Sequence, residues 1–216
     1  GTAISVGANT LTLSGGGSLV SGGLTLNDPS SKLLLNSITV DNVSTTSDSL
    51  GLDVDADSTV TSLSVANITP VSIASGKILS GAITVSVGSI KLAETGKLAS
   101  TISMSGGVLD VDNSLTVSGA LSHTDDITID VADTKTLTYT GTAISLGANT
   151  LTLTGGGSLV SGGLTLNDPS SKLLLNSITV DSVSTTVNNS LGVDVDNDST
   201  ITSLSVANIT PVSIAS

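Results

Sequence analysis

Two clusters of aspartates carry the clearest candidate chemistry in this sequence. In each cluster three aspartates occupy alternate positions, namely Asp53, Asp55, Asp57 and again Asp194, Asp196, Asp198. Carboxylate oxygens are the ligands that Ca²⁺ prefers in proteins. One hypothesis for this spacing is that Ca²⁺ bridges the carboxylates of neighbouring chain segments, which would relieve their mutual repulsion.

A simpler interpretation of these aspartates stays open. The EF-hand pattern fails, because Ser58 stands where that loop needs glycine and Ser64 where it needs a bidentate Glu. The Gly-Gly-x-Gly-x-Asp motif of calcium-binding β-rolls is also absent. The preferred interpretation is a solvated acidic strand edge that keeps the protein soluble and discourages lateral pairing.

One further segment, Ser122-His-Thr-Asp-Asp126, contains the residue types of a catalytic triad. A triad is defined by geometry in space, and neighbouring residues of one turn point in different directions. The sequence also has one Tyr, one Glu and no Arg, so it lacks the groups that β-helical enzymes use on polysaccharides. We therefore expect His123 to be an exposed turn residue, and the chain to be no enzyme and to have no small-molecule substrate.

The elements that must position these residues are short strands. Apolar and polar residues alternate in residues 10–14, 37–41 and 126–130, and glycine-rich breakers separate such segments. A period of two is typical of strands with one buried face, and no stretch shows the 3.6-residue period of a helix. The sequence therefore predicts an all-β protein with no helix.

Composition favours a parallel β-helix, or β-solenoid, over hairpins. Asn-Gly and Asp-Gly hairpin turns are absent, and the apolar residues are almost all Leu, Val, Ile and Ala. Such side chains can stack in ladders between rungs, whereas large rings would strain a thin interior. We expect three strands per rung of about 20 residues, while two strands per rung of about 14 residues is the alternative.

A long internal repeat organises the chain. Residues 1–75 recur as residues 141–216, at an offset of 140, with six substitutions and one added residue near Ser47. We expect residues 1–216 to form one continuous solenoid segment, cut from a longer repetitive protein. Neither end carries a recognisable cap, so the pattern predicts end-to-end self-association into a filament.

Charge argues against two classes of partner. The 18 acidic residues and 6 lysines leave a net charge of −12, which repels nucleic acid and anionic membrane surfaces. No apolar run approaches the roughly 20 residues that span a bilayer. We therefore expect no nucleic-acid partner and no membrane span in this segment.

The strand-and-turn units at residues 7–16, 147–156 and 21–26 resemble the repeats of bacterial autotransporter passengers and filamentous-haemagglutinin-type adhesins. The resemblance implies a secreted, right-handed β-helix at a prokaryotic cell surface. The function expected from it is a structural segment of a long extracellular fibre, stalk or sheath. The alternative is an adhesin or ligand-binding passenger domain.

Overall fold

The computed structural model describes residues 2–206 and 210–215. Within these residues the chain forms 26 short strands and no helix. In chain order the strands are β1 (Ile4–Ser5), β2 (Thr10–Ser14), β3 (Ser18–Leu19), β4 (Leu24–Leu26), β5 (Lys32–Asn36), β6 (Thr39–Thr45), β7 (Gly51–Val54), β8 (Ser58–Val65), β9 (Thr69–Ile73), β10 (Ile78–Val85), β11 (Ser89–Leu92), β12 (Lys97–Met104), β13 (Val108–Val111), β14 (Leu115–Val117), β15 (Leu121–His123), β16 (Ile127–Val131), β17 (Thr136–Tyr139), β18 (Ile144–Ser145), β19 (Thr150–Thr154), β20 (Ser158–Val160), β21 (Leu164–Leu166), β22 (Lys172–Asn176), β23 (Thr179–Thr185), β24 (Gly192–Val195), β25 (Thr200–Ser205) and β26 (Val212–Ile214).

The strands pair in parallel and build two sheets. Sheet B holds eleven strands in the order β2-β5-β7-β9-β11-β13-β16-β19-β22-β24-β26, and sheet A holds the other fifteen. The chain alternates between the sheets, so each turn forms one rung and successive rungs stack. The result is a β-solenoid of about 10 turns, which confirms the predicted fold.

The rung length also agrees with the preferred prediction. Residues paired across neighbouring rungs of sheet B lie between 19 positions apart, as for Leu33 and Leu52, and 24 positions apart, as for Ile129 and Leu153. The alternative with the shorter rung is therefore wrong. Strand β19 repeats the sequence of β2, except that Thr154 replaces Ser14, and is the seventh sheet-B strand after it, so one internal repeat spans seven rungs.

Inward aliphatic side chains form continuous ladders, because in most strands the residues alternate between the interior and the outer face. One ladder in sheet B runs through Leu33, Leu52, Val71, Leu92 and Val111. Each of these side chains is at most 1% exposed. Full burial of such a side chain stabilises a fold by about 1.5–3 kcal/mol, so the ladders supply most of the driving force for stacking.

The predicted three strands per rung occur in part of the solenoid. Rungs that begin with β2, β13, β16 or β19 have three strands, whereas in the remaining complete rungs the second and third positions merge into one strand of sheet A. Glycine pairs mark two of the interruptions, at Gly22-Gly23 and Gly162-Gly163. Glycine weakens a strand because its backbone loses more conformational entropy on folding than that of other residues and it has no side chain to pack.

Tyr139, the single aromatic residue, lies in the core and is 4% exposed. Its hydroxyl accepts a hydrogen bond from the Leu121 backbone N–H at 3.0 Å. Gly141 makes room for the ring, because a Cβ at that position would overlap the phenol group. A large ring therefore fits where a neighbouring residue is glycine, which the composition did not predict.

Candidate functional site

The first aspartate cluster spreads its carboxylates over separate partners. Asp53 faces outward from β7 and forms an ion pair with Lys32 Nζ at 2.5 Å. Asp55 is exposed just after the strand ends. Asp57 is also exposed, and its Oδ1 accepts a hydrogen bond from the Ile78 backbone N–H at 3.0 Å. The predicted ligands thus lie close in sequence, while two of them are engaged with different rungs.

The second cluster repeats this arrangement at its first position. Asp194 pairs with Lys172 Nζ at 3.2 Å, and its Oδ1 accepts a hydrogen bond from Ser213 Oγ at 2.6 Å. The hydrogen bond from Ser213, followed by that from Lys172, lowers the pKa of Asp194 below its ordinary value. Asp196 and Asp198 are exposed to solvent.

Calcium binding by these six aspartates stays a prediction. Among the described residues no group of three or more His, Cys, Asp or Glu side chains is arranged to hold a metal ion. In each cluster the first aspartate already faces a lysine ammonium, which competes with a cation for the same oxygens.

Lysine-to-aspartate ion pairs link neighbouring rungs in one recurring geometry. The pairs are Lys32–Asp53, Lys91–Asp112 and Lys172–Asp194. In each pair the aspartate lies two positions beyond the residue that is in direct register with the lysine. Sequence reasoning missed these lysines, although each precedes its aspartate by one rung plus this diagonal step. Because the paired side chains are partly exposed, solvent screens their attraction, and each pair contributes little to stability.

Around Lys91 several aspartate carboxylates lie close to a single ammonium group, which does not neutralise all of their negative charge. Its ammonium lies 3.3 Å from Asp110 and 2.9 Å from Asp112, and Asp130 stands in direct register with Asp110 on the next rung. Partial burial, and then the charges of Asp110 and Asp112, raise the pKa of Asp130 above its ordinary value. These three carboxylates therefore carry more negative charge than the Lys91 ammonium neutralises.

The Ser-His-Asp segment does not form a triad in the structure. His123 lies at the end of β15, and its Nδ1 contacts the backbone carbonyl oxygen of Asp125 at 3.1 Å. Ser122 instead shares a hydrogen bond with Ser103 Oγ at 3.4 Å, on the outer face of sheet A. His123 is half-buried, not fully exposed as expected, because it aligns with buried Met104 on the preceding rung.

The last described strands of the two sheets, β25 in sheet A and β26 in sheet B, form the open edge of the stack. These strands pair with β23 and β24, and no strand in the described part of the chain pairs with their opposite side. The exposed fractions at this edge are 42% for Leu204, 41% for Val206, 43% for Val212 and 75% for Ile214. The same positions of the first copy are nearly inaccessible, with exposures of 1% for Leu63, 0% for Val65, 1% for Val71 and 3% for Ile73.

Comparison with known proteins identifies no relative of this chain. No protein-family model, no curated protein and no solved structure matches it significantly. In the described residues there is no helix that is both long enough and apolar enough to cross a membrane. Function is therefore inferred from the solenoid and its internal repeat.

Proposed function

We propose that the chain is a structural segment of a long extracellular fibre, stalk or sheath made of stacked β-solenoid rungs. One observation carries the proposal: the internal repeat spans seven rungs. Because the repeat contains a whole number of rungs, each new repeat begins at the same position within a rung as the repeat before it. Further repeats can therefore be added without changing the type of contact between rungs.

Burial at the open edge supplies the driving force for such continuation. Identical side chains are 41% to 75% exposed at the edge and 0% to 3% exposed where a further rung covers them. Covering four aliphatic side chains in this way gains several kcal/mol, at about 25 cal/mol for each Å² of apolar surface. Backbone hydrogen bonds along both strands add directionality to the contact.

The outer surface suits a soluble rod. Lysines and aspartates face outward, and the net charge of −12 opposes lateral association of parallel rods. The extracellular location is supported by the resemblance of the strand-and-turn units to bacterial surface proteins. Stacking end to end is the partner interaction that follows, and this role requires no nucleic acid or small-molecule substrate.

Chains with one, two and three added copies of the repeat test the proposal. Seven rungs at about 4.8 Å give about 34 Å of rod per repeat, which electron microscopy can measure. Fibre diffraction should show a meridional spacing of about 4.8 Å. Repeats that fold into separate globules, without a linear gain in length, would contradict the fibre role. Specific ligand capture by a side face of the rod would favour the adhesin alternative.

A further inference from the structure

One outer face of sheet A carries no charged residue along the middle of the rod. It lies on the last part of each rung, where two buried residues such as Leu63 and Val65 flank an outward one. Three outward positions per rung form this face, which we call the hydroxyl face. From β6 to β15 they hold only Ala, Ser, Thr and Asn: residues 42, 44 and 46, residues 62, 64 and 66, residues 82, 84 and 86, residues 101, 103 and 105, and residues 120, 122 and 124.

A column of hydroxyl residues runs along the middle of this face. Strand pairing aligns one residue from each of seven successive rungs: Ser5, Thr25, Ser44, Ser64, Thr84, Ser103 and Ser122. A second aligned run consists of Ser145, Thr165, Ser184 and Ser205. Every aligned residue is thus Ser or Thr, in both copies of the internal repeat.

Hydroxyl groups of this column bond to one another along the rod. Ser44 Oγ donates a hydrogen bond to Thr25 Oγ1 at 3.4 Å, and Ser103 and Ser122 share a hydrogen bond of the same length. A polar group that has a partner within the protein loses less free energy when water is removed than an unpaired one. The hydroxyl face can therefore be covered at a small desolvation cost.

Charged residues face outward on sheet B over the same part of the rod: Lys32, Asp53, Lys91, Asp110 and Asp130. Sheet B lies across the core, at the distance of about 10 Å that separates packed sheets. Salt screens charges beyond about 8 Å at physiological ionic strength. Repulsion between two rods that meet through their hydroxyl faces is therefore weak, and it comes mainly from aspartates at the borders of the face, such as Asp41 and Asp48.

The size of the face suits a partner that is itself a rod. About 10 turns at about 4.8 Å give a length of about 48 Å, and residues 62–66 span about 13 Å of extended strand. Two such faces in contact bury about 1,200 Å², which is the lower limit of a stable protein interface. The partner must be flat, uncharged and periodic at the spacing of the rungs. A second copy of this chain has such a surface.

We propose that the hydroxyl face is a lateral interface through which two copies of this chain pair side by side. Small side chains let the two sheets approach closely and lose little rotamer freedom when they are buried. Both rods use the same face, so the contact is isologous and closes as a pair. This inference goes beyond the proposed function, because stacking lengthens one rod whereas pairing joins two.

Mass per unit length, measured by small-angle X-ray scattering of the full chain, tests the proposal. Pairing doubles this quantity, and end-to-end stacking leaves it unchanged. Ser64→Lys combined with Ser103→Lys places two ammonium groups on the hydroxyl face. Thr12→Lys combined with Thr152→Lys is the matched control, because it adds the same charge to the outer face of sheet B. The native chain and the control should pair at about 100 μM, and the face variant should need about tenfold more protein.

Cross-linking gives a second measurement that does not depend on the lysine variants. The chain has no cysteine, so Thr84→Cys supplies a single thiol on the hydroxyl face and Thr152→Cys a single thiol on sheet B. A short bis-maleimide should link two Thr84→Cys chains about tenfold faster than two Thr152→Cys chains, because pairing raises the effective concentration of the thiols. Higher salt should increase the difference, since it screens the aspartates at the borders of the face.

Each outcome bears on one proposal. A native mass per unit length of a single rod at every concentration would overturn the lateral interface and leave the stacking function intact. Equal effects of the two lysine pairs, or equal cross-linking at the two cysteine positions, would overturn it as well. Chains with added repeats that do not lengthen contradict the stacking function alone.

Discussion

The two copies of the repeat allow the stabilisation from stacking to be measured with one substitution at two positions. Leu151 is 0% exposed, and it lies in register with Ile127 on one side and Leu173 on the other. Its counterpart Leu11 has the same local sequence, but it is partly exposed and pairs only with Leu33 in the described structure. Leu→Ala in a packed core costs about 2–5 kcal/mol, and the cost falls where the site is open. We expect a loss of about 3 kcal/mol for Leu151→Ala and about 1 kcal/mol for Leu11→Ala.

Urea denaturation followed by far-UV circular dichroism gives the loss in free energy of unfolding for each variant. Hydrogen exchange at the substituted rung then shows whether the effect is local, as expected for a stack in which each rung contacts only its neighbours. Thr12→Ala and Thr152→Ala serve as matched controls, because both side chains face outward. Equal losses for the two leucine variants would refute the idea that neighbours on both sides determine the stability of a rung.

Three further predictions follow from individual contacts. Tyr139→Phe leaves the buried N–H of Leu121 without its acceptor, so denaturation should show a loss of about 1–3 kcal/mol, and an unchanged stability would contradict the hydrogen bond. The raised pKa of Asp130 means that its contribution to stability is present at low pH and is lost as the pH rises through that pKa. Asp130→Asn should therefore raise the melting temperature at pH 7 relative to the native chain, with a smaller gain near about pH 3; a lower melting temperature at pH 7 would contradict this. If the six aspartates of the two clusters bind Ca²⁺, about 1 mM Ca²⁺ should raise the melting temperature, and replacing all six by Asn should remove that rise.

Strand positions can be predicted from the sequence because alternation depends only on local pattern. The alternation in residues 10–14 predicts a strand, and β2 has those bounds. Rung length is harder to predict, since Leu11, Leu24, Ile38 and Leu50 recur at steps that favour the shorter rung. The structure places Leu11 in sheet B and Leu24 in sheet A, so the first of these steps measures the distance between sheets within one rung. A periodicity alone does not distinguish a step between sheets from a step between rungs.

The contacts of the candidate site could not be predicted without the register. The aspartates are identifiable from their types and spacing, but the lysine partners of Asp53 and Asp194 lie one rung earlier in the chain. A diagonal contact between rungs depends on the number of residues in each turn, which varies from corner to corner. The same limit applies to Asp110 and Asp130, whose alignment follows from the length of one particular rung.

The one-residue insertion in the second copy shows where this fold accepts change. It falls between β6 and β7 in the first copy and between β23 and β24 in the second, so it lies at a corner between the sheets. The strands on both sides keep their inward residues, because Leu35 aligns with Val54 just as Leu175 aligns with Val195. A longer corner leaves the ladders unchanged, whereas one residue added within a strand would turn its inward face outward. Corners can therefore vary in length while the stack continues beneath them. If the adhesin alternative holds, we expect its binding site at such a corner, and substitutions that abolish binding there should leave the rod length unchanged.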